Sequence, residues 1–535
     1  MTAQHSYQPF LTGRYDREQR AQSIKEEDIF NSLPAPQNPL TESTAESSII
    51  DISEEESKLS PSQRLDRFFS NALPNDGSPS GYTYSDQEIT EIRDILRCIN
   101  DGVWSITPRL YIVLRRIGLL SFYSDFLSNQ ITDASFPFCE SNLPRTMDRL
   151  QRRTFLEIQK SVLTKESATS KCELGEHAHF LDRDQIPFRK IGVLGTGGYA
   201  QVDKVSSNIT GMHYARKLLD RRIFGRTHGT LLDFENELKI LKRLRHQHVV
   251  EIIGSYTDPY FAAIIMSPIA ECDLCAFLKS VQTSSDSMSL LQTFFGCLAT
   301  ALQYLHREKI RHKDIKPSNV LVKDGTVLLT DFGLSRDCNN LRSTTEGPTA
   351  FTARYCAPEV ADFDQRNYSS DMWSLGCMFL EMCTVMQGAA LSELSEFFKA
   401  NGTRTISYWS NPDAIIQWTR QLREMSVQED IGKGPIRWAE QLLQRDRSLR
   451  PSAHAVAFQI ATHQSTNGRI GGFCGICCRM EHSMENMNMD MTTADVIPVL
   501  SSIESDQSGD FNPSYAREER PSAAPLENLS CNYFS

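Results

Sequence analysis

The segment Ile310–Val322, IRHKDIKPSNVLV, constrains the fold more than any other part of the chain. It places an acid, a cation and an amide close together at Asp314, Lys316 and Asn319, with apolar residues on both sides. Burying a charge is costly unless the charge is paired or used in chemistry. The acid, the cation and the amide of this segment therefore need either partners or a chemical role.

A further acid, Asp331, follows in the sequence DFG. Asp314 can accept a hydroxyl proton, and Lys316 can stabilise charge on a transferred group. Asn319 and Asp331 offer the hard oxygen ligands that Mg²⁺ prefers. Phosphoryl transfer depends mainly on positioning and charge neutralisation, and these residue types provide both.

A glycine-rich run, LGTGGYAQV, extends from Leu194 to Val202. Gly195 and Gly197 let backbone amides approach a phosphate without an intervening Cβ, although many loops have such a run. Lys217 follows in an apolar stretch and could neutralise phosphate charge. Alone, such a lysine more often belongs to an edge strand.

Glu237 lies in a predicted amphipathic helix, with Leu238, Leu241 and Leu244 on the opposite side. A glutamate in a helix is usually solvated. An ion pair with Lys217 would instead hold that lysine in place, so the two residues are interpreted together.

The chain of 535 residues is too long for one typical domain. Residues 1–84 are polar and acidic with few aromatics, which predicts a disordered tail. Residues 85–184 have helical periodicity and predict a small helical module, which either packs against its neighbour or serves as a regulatory or partner-docking module. Residues 185–464 begin with short apolar runs and continue with helical patterns, which favours an α+β unit. Residues 465–535 are polar again and predict a disordered tail containing a cysteine cluster.

Two helices are predicted within the module. In TPRLYIVLRRIG, Thr107 can cap the helix, Pro108 suits the first helical position, and Gly118 can close the end. The periodicity of the apolar residues gives this helix one apolar face. A second helix is predicted in MDRLQRRTFLEIQKSVL.

Composition restricts the partners and the cellular setting. The net charge is −11 with a pI of about 5.6, which argues against nucleic acid as the main partner. The N-terminus lacks a signal-peptide pattern, and no uninterrupted apolar run reaches the ~18 residues of a membrane span. The 14 cysteines are scattered. We therefore expect an intracellular protein, cytoplasmic and/or nuclear, with free thiols.

The segment FCGICC contains Cys474, Cys477 and Cys478, with His463 and His482 nearby. Three cysteines and a histidine could supply the four ligands of a zinc site, but no second CxxC exists. Peripheral S-acylation of Cys477 and Cys478 is a further alternative. We expect buried or idle thiols, and the other two interpretations stay open.

With these motifs in this order, residues 188–463 resemble the eukaryotic protein kinase family, in particular its serine/threonine kinases. The pairing of YARK with a preceding helical module is similar to serine/threonine kinases of filamentous fungi. The resemblance implies an α+β, two-lobed protein-kinase fold, with a small β-rich N-lobe and a larger helical C-lobe. Here it would be preceded by the helical module and flanked by disordered tails.

The resemblance also implies roles for individual residues. Lys217 would pair with the ATP α/β-phosphates and with Glu237, and Asp314 would be the catalytic base beside Lys316. Asn319 and Asp331 would bind Mg²⁺. The implied ATP-binding residues are Leu194, Gly195, Thr196, Gly197, Gly198, Tyr199, Ala200, Val202, Ala215, Lys217, Met266, Ile269, Asp273 and Leu321. Among them, Met266 falls at the gatekeeper position, Asp273 at a position that often reaches the ribose, and Val202, Ala215 and Leu321 would sandwich the adenine.

Three further residues match structural positions of the family. Glu359 ends YCAPE, Arg450 matches its partner arginine, and Asp371 matches the helix-borne acid that supports the catalytic loop. Small-molecule phosphotransferases lack the APE segment, so a protein substrate is implied. The motifs around Lys316 (DIKPSN) and Thr352 (FTARYCAPE) resemble those of serine/threonine kinases, which implies Ser/Thr acceptors. The alternative is a pseudokinase scaffold, but pseudokinases usually lose the lysine or an aspartate that this chain keeps.

The sequence departs from the family at two positions. Ala200 replaces the third loop glycine, at little cost if φ stays negative. Lys313 replaces the arginine that often clamps a phosphorylated activation segment, and lysine lacks the bidentate fork of arginine. We therefore predict that phosphorylation at Thr344, Thr345 or Thr349 is possible but not obligatory.

Overall fold

The computed structural model describes the chain in part. The described residues are 59–70, 82–99, 104–128, 131–163, 172–196, 200–221, 231–281, 285–333, 336–337, 353–364, 367–425, 429–463 and 472–478. The chain divides into two units, Met1–Gly475 and Ile476–Ser535. The second unit is described only at residues 476–478, which are helical. The elements below all belong to the first unit.

A helical module precedes the kinase-like region, as predicted. Its helices are α1 (Pro61–Ser70), α2 (Asp86–Cys98), α3 (Pro108–Arg116), α4 (Tyr123–Ser128) and α5 (Arg149–Ile158). They enclose their own apolar core, in which the rings of Phe126, Phe138 and Phe155 pack together. The proposed domain boundaries at 84/85, 184/185 and 464/465 stay predictions.

Helix α1 lies inside the range predicted to be disordered, so that prediction is wrong for residues 61–70. Leu65 of α1 is buried in the module core, and Phe69 packs on Tyr84 and Tyr111. The Arg115 guanidinium lies 4.1 Å from the Phe69 ring centroid. The surrounding residues are acidic and serine-rich, which led to the prediction of disorder. The short amphipathic helix α1 was therefore not predicted, because its packing partners are far away in sequence.

Helix α3 begins at Pro108 as predicted, but its N-terminus is capped from a distance. Thr107 makes no side-chain cap, and its hydroxyl instead lies 2.8 Å from the Tyr123 hydroxyl. The Asp133 carboxylate accepts hydrogen bonds from the backbone N–H groups of Arg109 (3.0 Å) and Leu110 (3.3 Å). A capping acceptor can therefore come from a residue that a local sequence pattern does not reveal.

The N-lobe is built on a six-stranded sheet in the order β1-β5-β6-β4-β3-β2. The strands are β1 (His177–His179), β2 (Phe188–Thr196), β3 (Ala200–Ser207), β4 (His213–Asp220), β5 (Glu251–Thr257) and β6 (Phe261–Ser267). Helix α6 (Leu231–Arg243) completes the lobe. Strand β1, from the segment linking module and sheet, adds a parallel edge to β5. A Cβ on Gly254 of β5 would lie 1.5 Å from the Cys172 carbonyl oxygen, so only glycine permits this close approach.

The C-lobe is mainly helical, as predicted. Its helices are α7 (Leu274–Ser280), α8 (Ser285–Arg307), α9 (Pro358–Ala361), α10 (Ser369–Met386), α11 (Leu391–Asn401), α12 (Pro412–Met425), α13 (Glu429–Leu442) and α14 (Ala453–Ala461). Short strands edge the cleft: β7 (Cys272–Asp273), β8 (Ile310–Arg311), β9 (Val320–Lys323), β10 (Thr326–Leu329) and β11 (Arg336–Asp337). Helix α10 is buried from Asp371 to Val385 and forms the centre of the lobe.

The described residues include helices of the length and apolar composition of membrane spans. The segment Asp286–Arg307 is long and apolar enough to cross a membrane, but 67% of its most apolar window is buried inside the protein. Helices α10 and α11 are long and apolar enough to cross a membrane only when taken together, and the chain bends by 115° between them. These features are those of core helices and give weak evidence for a span.

Residues 472–475 lie in the predicted C-terminal tail but are packed, so the prediction of disorder is wrong there. The Phe473 ring contacts Phe295 and Trp438, and its carbonyl oxygen accepts a hydrogen bond from the Gly296 N–H at 2.9 Å. A Cβ on Gly296 would lie 2.3 Å from the Cys474 Sγ. Cys474 is therefore a packed thiol, and His482 lies outside the described residues. Zinc binding and S-acylation stay open alternatives to the predicted buried or idle thiols.

The cap on α3 gives a first test. Asp133→Ala removes the acceptor for two N–H groups and should lower the free energy of unfolding by about 1–2 kcal/mol. Asp133→Asn keeps one acceptor oxygen but sets its NH2 group against the other backbone N–H. Burial raises the pKa of Asp133 to about 6, so ionisation above that pH costs folding free energy that both variants avoid. Urea denaturation at pH 5 should rank wild type above Asn and Asn above Ala, and the advantage of wild type should shrink at pH 7.5; equal stability of all three at pH 5 would contradict the cap.

Candidate active site

Lys217 lies at the centre of the cleft between the two lobes. Its Nζ is 2.7 Å and 3.0 Å from the two carboxylate oxygens of Glu237, and 2.8 Å from the Asp331 Oδ1. The three side chains belong to β4, α6 and the segment after β10. The predicted Lys217–Glu237 pair is thus formed, and Asp331 joins it directly.

The fold around Lys217 explains why the triad forms. Strand β4 lies between β3 and β6, and pairs Lys217 opposite Val202 on one side and Ile264 on the other. Glu237 was expected on a polar side of its helix, but its side chain is only 2% exposed. Phe234 and Leu238 of the same helix are also buried. Helix α6 therefore brings its acid inward to the lysine.

Charge in the triad shifts the acid–base equilibria. Burial opposes the ammonium form of Lys217, but the carboxylates of Glu237 and Asp331 raise its pKa above the usual value. Burial likewise opposes ionisation of Asp331, yet Lys217 lowers the pKa of this carboxyl to about 2. Burial raises the pKa of Glu237, although Lys217 opposes that shift. At neutral pH the site therefore holds the Lys217 cation beside the Asp331 anion, and both Glu237 oxygens lie within hydrogen-bond distance of the ammonium group.

Asp314 and its two predicted partners are in direct contact. Its Oδ2 lies 2.7 Å from the Lys316 Nζ and 3.0 Å from the Asn319 Nδ2. The Asn319 amide also donates to the Asp314 carbonyl at 2.8 Å. Asp314 is only 8% exposed, so these contacts fix the orientation of a nearly buried carboxylate.

Asp371, at the start of α10, holds the backbone of the loop that carries Asp314, as predicted. It accepts hydrogen bonds from the backbone N–H groups of His312 (3.0 Å) and Lys313 (2.9 Å), and its Oδ2 lies 3.1 Å from the His306 Nε2. Burial opposes ionisation, but the hydrogen bond from His306 and the other nearby groups keep the pKa of Asp371 below its usual value. Lys313 has φ of 68°, a left-handed conformation that this double hydrogen bond stabilises.

The loop carrying Asp331 is tied to the loop carrying Asn319. The Thr330 N–H donates to the Asn319 carbonyl at 3.0 Å, and the His312 Nε2 lies 3.0 Å from the Thr330 carbonyl. The His312 ring packs on Phe332 at 4.9 Å between centroids. Asp331 adopts φ of 63°. The proposed metal ligands thus lie on two loops joined by hydrogen bonds.

The described residues fit Mg²⁺ bound with ATP. The Asn319 amide uses its Nδ2 toward Asp314, which leaves its oxygen as the group suited to a hard cation. The Asp331 side chain is 45% exposed, so its carboxylate is accessible while one oxygen contacts Lys217. Mg²⁺ usually takes one or two protein carboxylate or amide oxygens and completes its shell with phosphate and water.

The predicted nucleotide pocket is partly described. Strand pairing brings Ala215 opposite Met266, and Asp273 opposite Leu321. The remaining described members of the predicted set lie on β2, β3 or just after β6: Leu194, Gly195, Thr196, Ala200, Val202 and Ile269. Asp273 also caps α7, since its Oδ1 accepts the Ala276 N–H at 2.7 Å. Gly197, Gly198 and Tyr199 lie outside the described residues.

The activation segment is described only at its ends. Thr344, Thr345, Thr349 and Thr352 lie outside the described residues, so the prediction about their phosphorylation stays a prediction. At the far end the Arg450 guanidinium makes a bidentate pair with Glu359, at 2.7 Å and 2.9 Å, as predicted. The same guanidinium donates to the Ser369 carbonyl and thereby joins α9 to α10.

Sequence reasoning missed a buried acid on α10. Glu381 accepts hydrogen bonds from Arg354 (2.8 Å), Tyr355 (3.1 Å) and Tyr408 (2.9 Å). This cluster anchors the residues just before APE to the centre of the C-lobe. The segment CMFLEMCTVM could have revealed Glu381, because a single acid in an apolar helix needs a buried partner.

Comparison with known proteins agrees with this geometry. Residues 188–463 match the family described as "Protein kinase domain". The chain therefore belongs to the protein kinase family.

Individual relatives align over part of the chain. Cyclin-dependent kinase 4 homolog of Caenorhabditis elegans is 30% identical over 49% of this chain and 67% of its own length. Mitogen-activated protein kinase kinase kinase A of Dictyostelium discoideum is 29% identical over 39% of this chain and 22% of its own length. CTD kinase subunit alpha of Saccharomyces cerevisiae is 31% identical over 42% of this chain and 43% of its own length. For the last two, the aligned part spans less than half of the relative.

The Arg450–Glu359 pair provides a stability test. Arg450→Met would leave a buried, uncompensated carboxylate, because the Arg450 side chain is 0% exposed and Glu359 only 6%. We expect the free energy of unfolding to fall by about 3–5 kcal/mol, and Arg450→Met/Glu359→Gln to recover part of that loss. Lys160→Met, which breaks an exposed pair with Glu157, is the matched control and should leave the denaturation midpoint unchanged. Equal midpoints for Arg450→Met and wild type would contradict a structural role for the pair.

Proposed function

We propose that the protein is an active ATP- and Mg²⁺-dependent serine/threonine protein kinase. The observation that carries the proposal is the complete set of charged residues in one cleft. Lys217 contacts both Glu237 and Asp331, and Asp314 contacts Asn319. Burying charge is costly, and phosphoryl transfer uses each of these charged groups.

The chain's own residues have distinct tasks in this proposal. Lys217, held by Glu237, neutralises charge on the α- and β-phosphates. Asp314 accepts the proton of the substrate hydroxyl. The hydroxyl oxygen then bonds to the γ-phosphorus, and the bond between the γ-phosphorus and the bridging oxygen of ADP breaks. Lys316 stabilises negative charge on the transferred group.

Mg²⁺ held by Asn319 and Asp331 would neutralise phosphate charge when bound with ATP. The accessible Asp331 carboxylate has a low pKa, which favours its role as a metal ligand at neutral pH. Val202, Ala215 and Leu321 would enclose the adenine.

Protein rather than small-molecule substrates are supported by the APE segment and by its anchoring to the C-lobe through Arg450 and Glu381. Ser/Thr acceptors are supported by Lys316 beside the proposed base and by the serine/threonine kinase relatives.

The test is phosphate transfer by the purified full-length chain. With labelled ATP and Mg²⁺, wild type should label Ser and Thr residues in a degenerate peptide mixture and should leave Tyr unlabelled. Asp314→Asn and Lys217→Met should each lower the rate by about 10²-fold or more, since both remove groups that act in the transition state. Lys399→Met changes an exposed lysine on α11 and serves as the matched control with unchanged rate.

The same assay identifies the alternatives. Labelling by wild type no greater than by Asp314→Asn would contradict the kinase proposal and favour a pseudokinase scaffold. Labelling confined to Tyr would contradict Ser/Thr specificity.

A further inference from the structure

The helical module contacts the helix that carries Glu237. The Thr132 hydroxyl donates a hydrogen bond to the Glu235 carboxylate of α6, two residues before Glu237. Thr132 directly precedes a short turn, Asp133–Ser135, whose Asp133 caps helix α3 of the module. One side of α6 therefore faces Lys217, and another is bonded to the module.

A second contact reaches α6 from the linking strand β1. The His177 ring packs on the Phe234 ring with centroids 6.0 Å apart, and Phe234 is fully buried. The His177 Nδ1 lies 2.8 Å from the Ser255 hydroxyl of β5, which fixes the ring. Burial and the neighbouring cations lower the pKa of His177 to about 3, so the ring is neutral and suited to apolar packing.

The module is in turn fixed to the sheet. Arg221, just after β4, donates to the backbone carbonyls of Ser135 and Pro137. The Phe136 carbonyl accepts from the Thr257 hydroxyl at 2.5 Å, and the Phe136 ring is buried in the module core. Thr132 therefore extends from a rigid support and can restrain the helix that it contacts.

We propose that the module braces α6 in the position that keeps Glu237 on Lys217, with Thr132 and His177 as positioning residues for phosphoryl transfer. The inference rests on the proposed kinase function for its effect on rate. The brace itself concerns helix position and can be measured without activity.

The reason lies in the cost of leaving the active arrangement. Glu237 is buried and paired, so outward movement of α6 would break the pair with Lys217. With the module docked, the same movement must also break the Thr132–Glu235 hydrogen bond and unpack Phe234 from His177. Both sets of contacts favour one helix position, which couples module docking to the site.

The experiment uses the full-length chain with Thr132→Val, which removes the donor at nearly constant volume. We expect kcat/KM to fall about fivefold or more, and hydrogen exchange to speed up in residues 231–243 but not in α10. Thr132→Ser keeps the hydroxyl donor and should show wild-type kcat/KM and wild-type exchange in α6. Thr146→Val is the matched control, because the Thr146 hydroxyl bonds Asp125 within the module, and it should change neither. His177→Ala should reproduce the exchange effect in α6.

Each outcome decides the question. Wild-type kcat/KM together with wild-type exchange in α6 for Thr132→Val would overturn the brace. Faster exchange throughout the chain, with a lower melting temperature, would also overturn it, since that result indicates general destabilisation. If wild type itself lacks activity, the proposed function fails, and the exchange in α6 alone decides whether the brace exists.

Discussion

The candidate active site depends on one buried ammonium group held between two carboxylates. Lys217 is 2.7 Å from Glu237 and 2.8 Å from Asp331, and these residues come from three separate parts of the chain. Neither Lys217 nor Glu237 could be buried alone at acceptable cost, and the accessible Asp331 carboxylate is a second partner for the ammonium group. Their contacts hold the sheet, α6 and the loop after β10 together.

The C-lobe provides a rigid base for this triad. Asp371 holds the backbone at His312 and Lys313, and the loop they belong to carries Asp314 and Asn319. Because Asp371 lies on the buried helix α10, its hydrogen bonds fix the loop that carries Asp314 and Asn319 to the centre of the C-lobe. The N-lobe side depends more on its neighbours, since α6 contacts both the sheet and the helical module. The two halves of the site are therefore restrained by different means.

Local patterns predicted two helices of the module and the order of strands before helices, and the resemblance carried by the motifs implied the contacts of Lys217 with Glu237 and of Arg450 with Glu359. These succeeded because each depends on periodicity or on a motif whose spacing is contained in the sequence. Helix α1 and the packing of Phe473 were not predicted, because their partners lie far away and their surroundings are polar. The cap on α3 was assigned to Thr107 for the same reason, although Asp133 supplies it. Contacts between remote segments, including Thr132 with Glu235, leave no periodic signal.

The most direct test of the account is a crystal structure of the full-length chain with Mg²⁺ and a non-hydrolysable ATP analogue. We predict that the Lys217 Nζ contacts both the Glu237 carboxylate and the α- or β-phosphate, and that Asn319 and Asp331 ligate Mg²⁺. Nucleotide bound elsewhere, or metal bound without either of these two residues while Lys217 points out of the cleft, would contradict it.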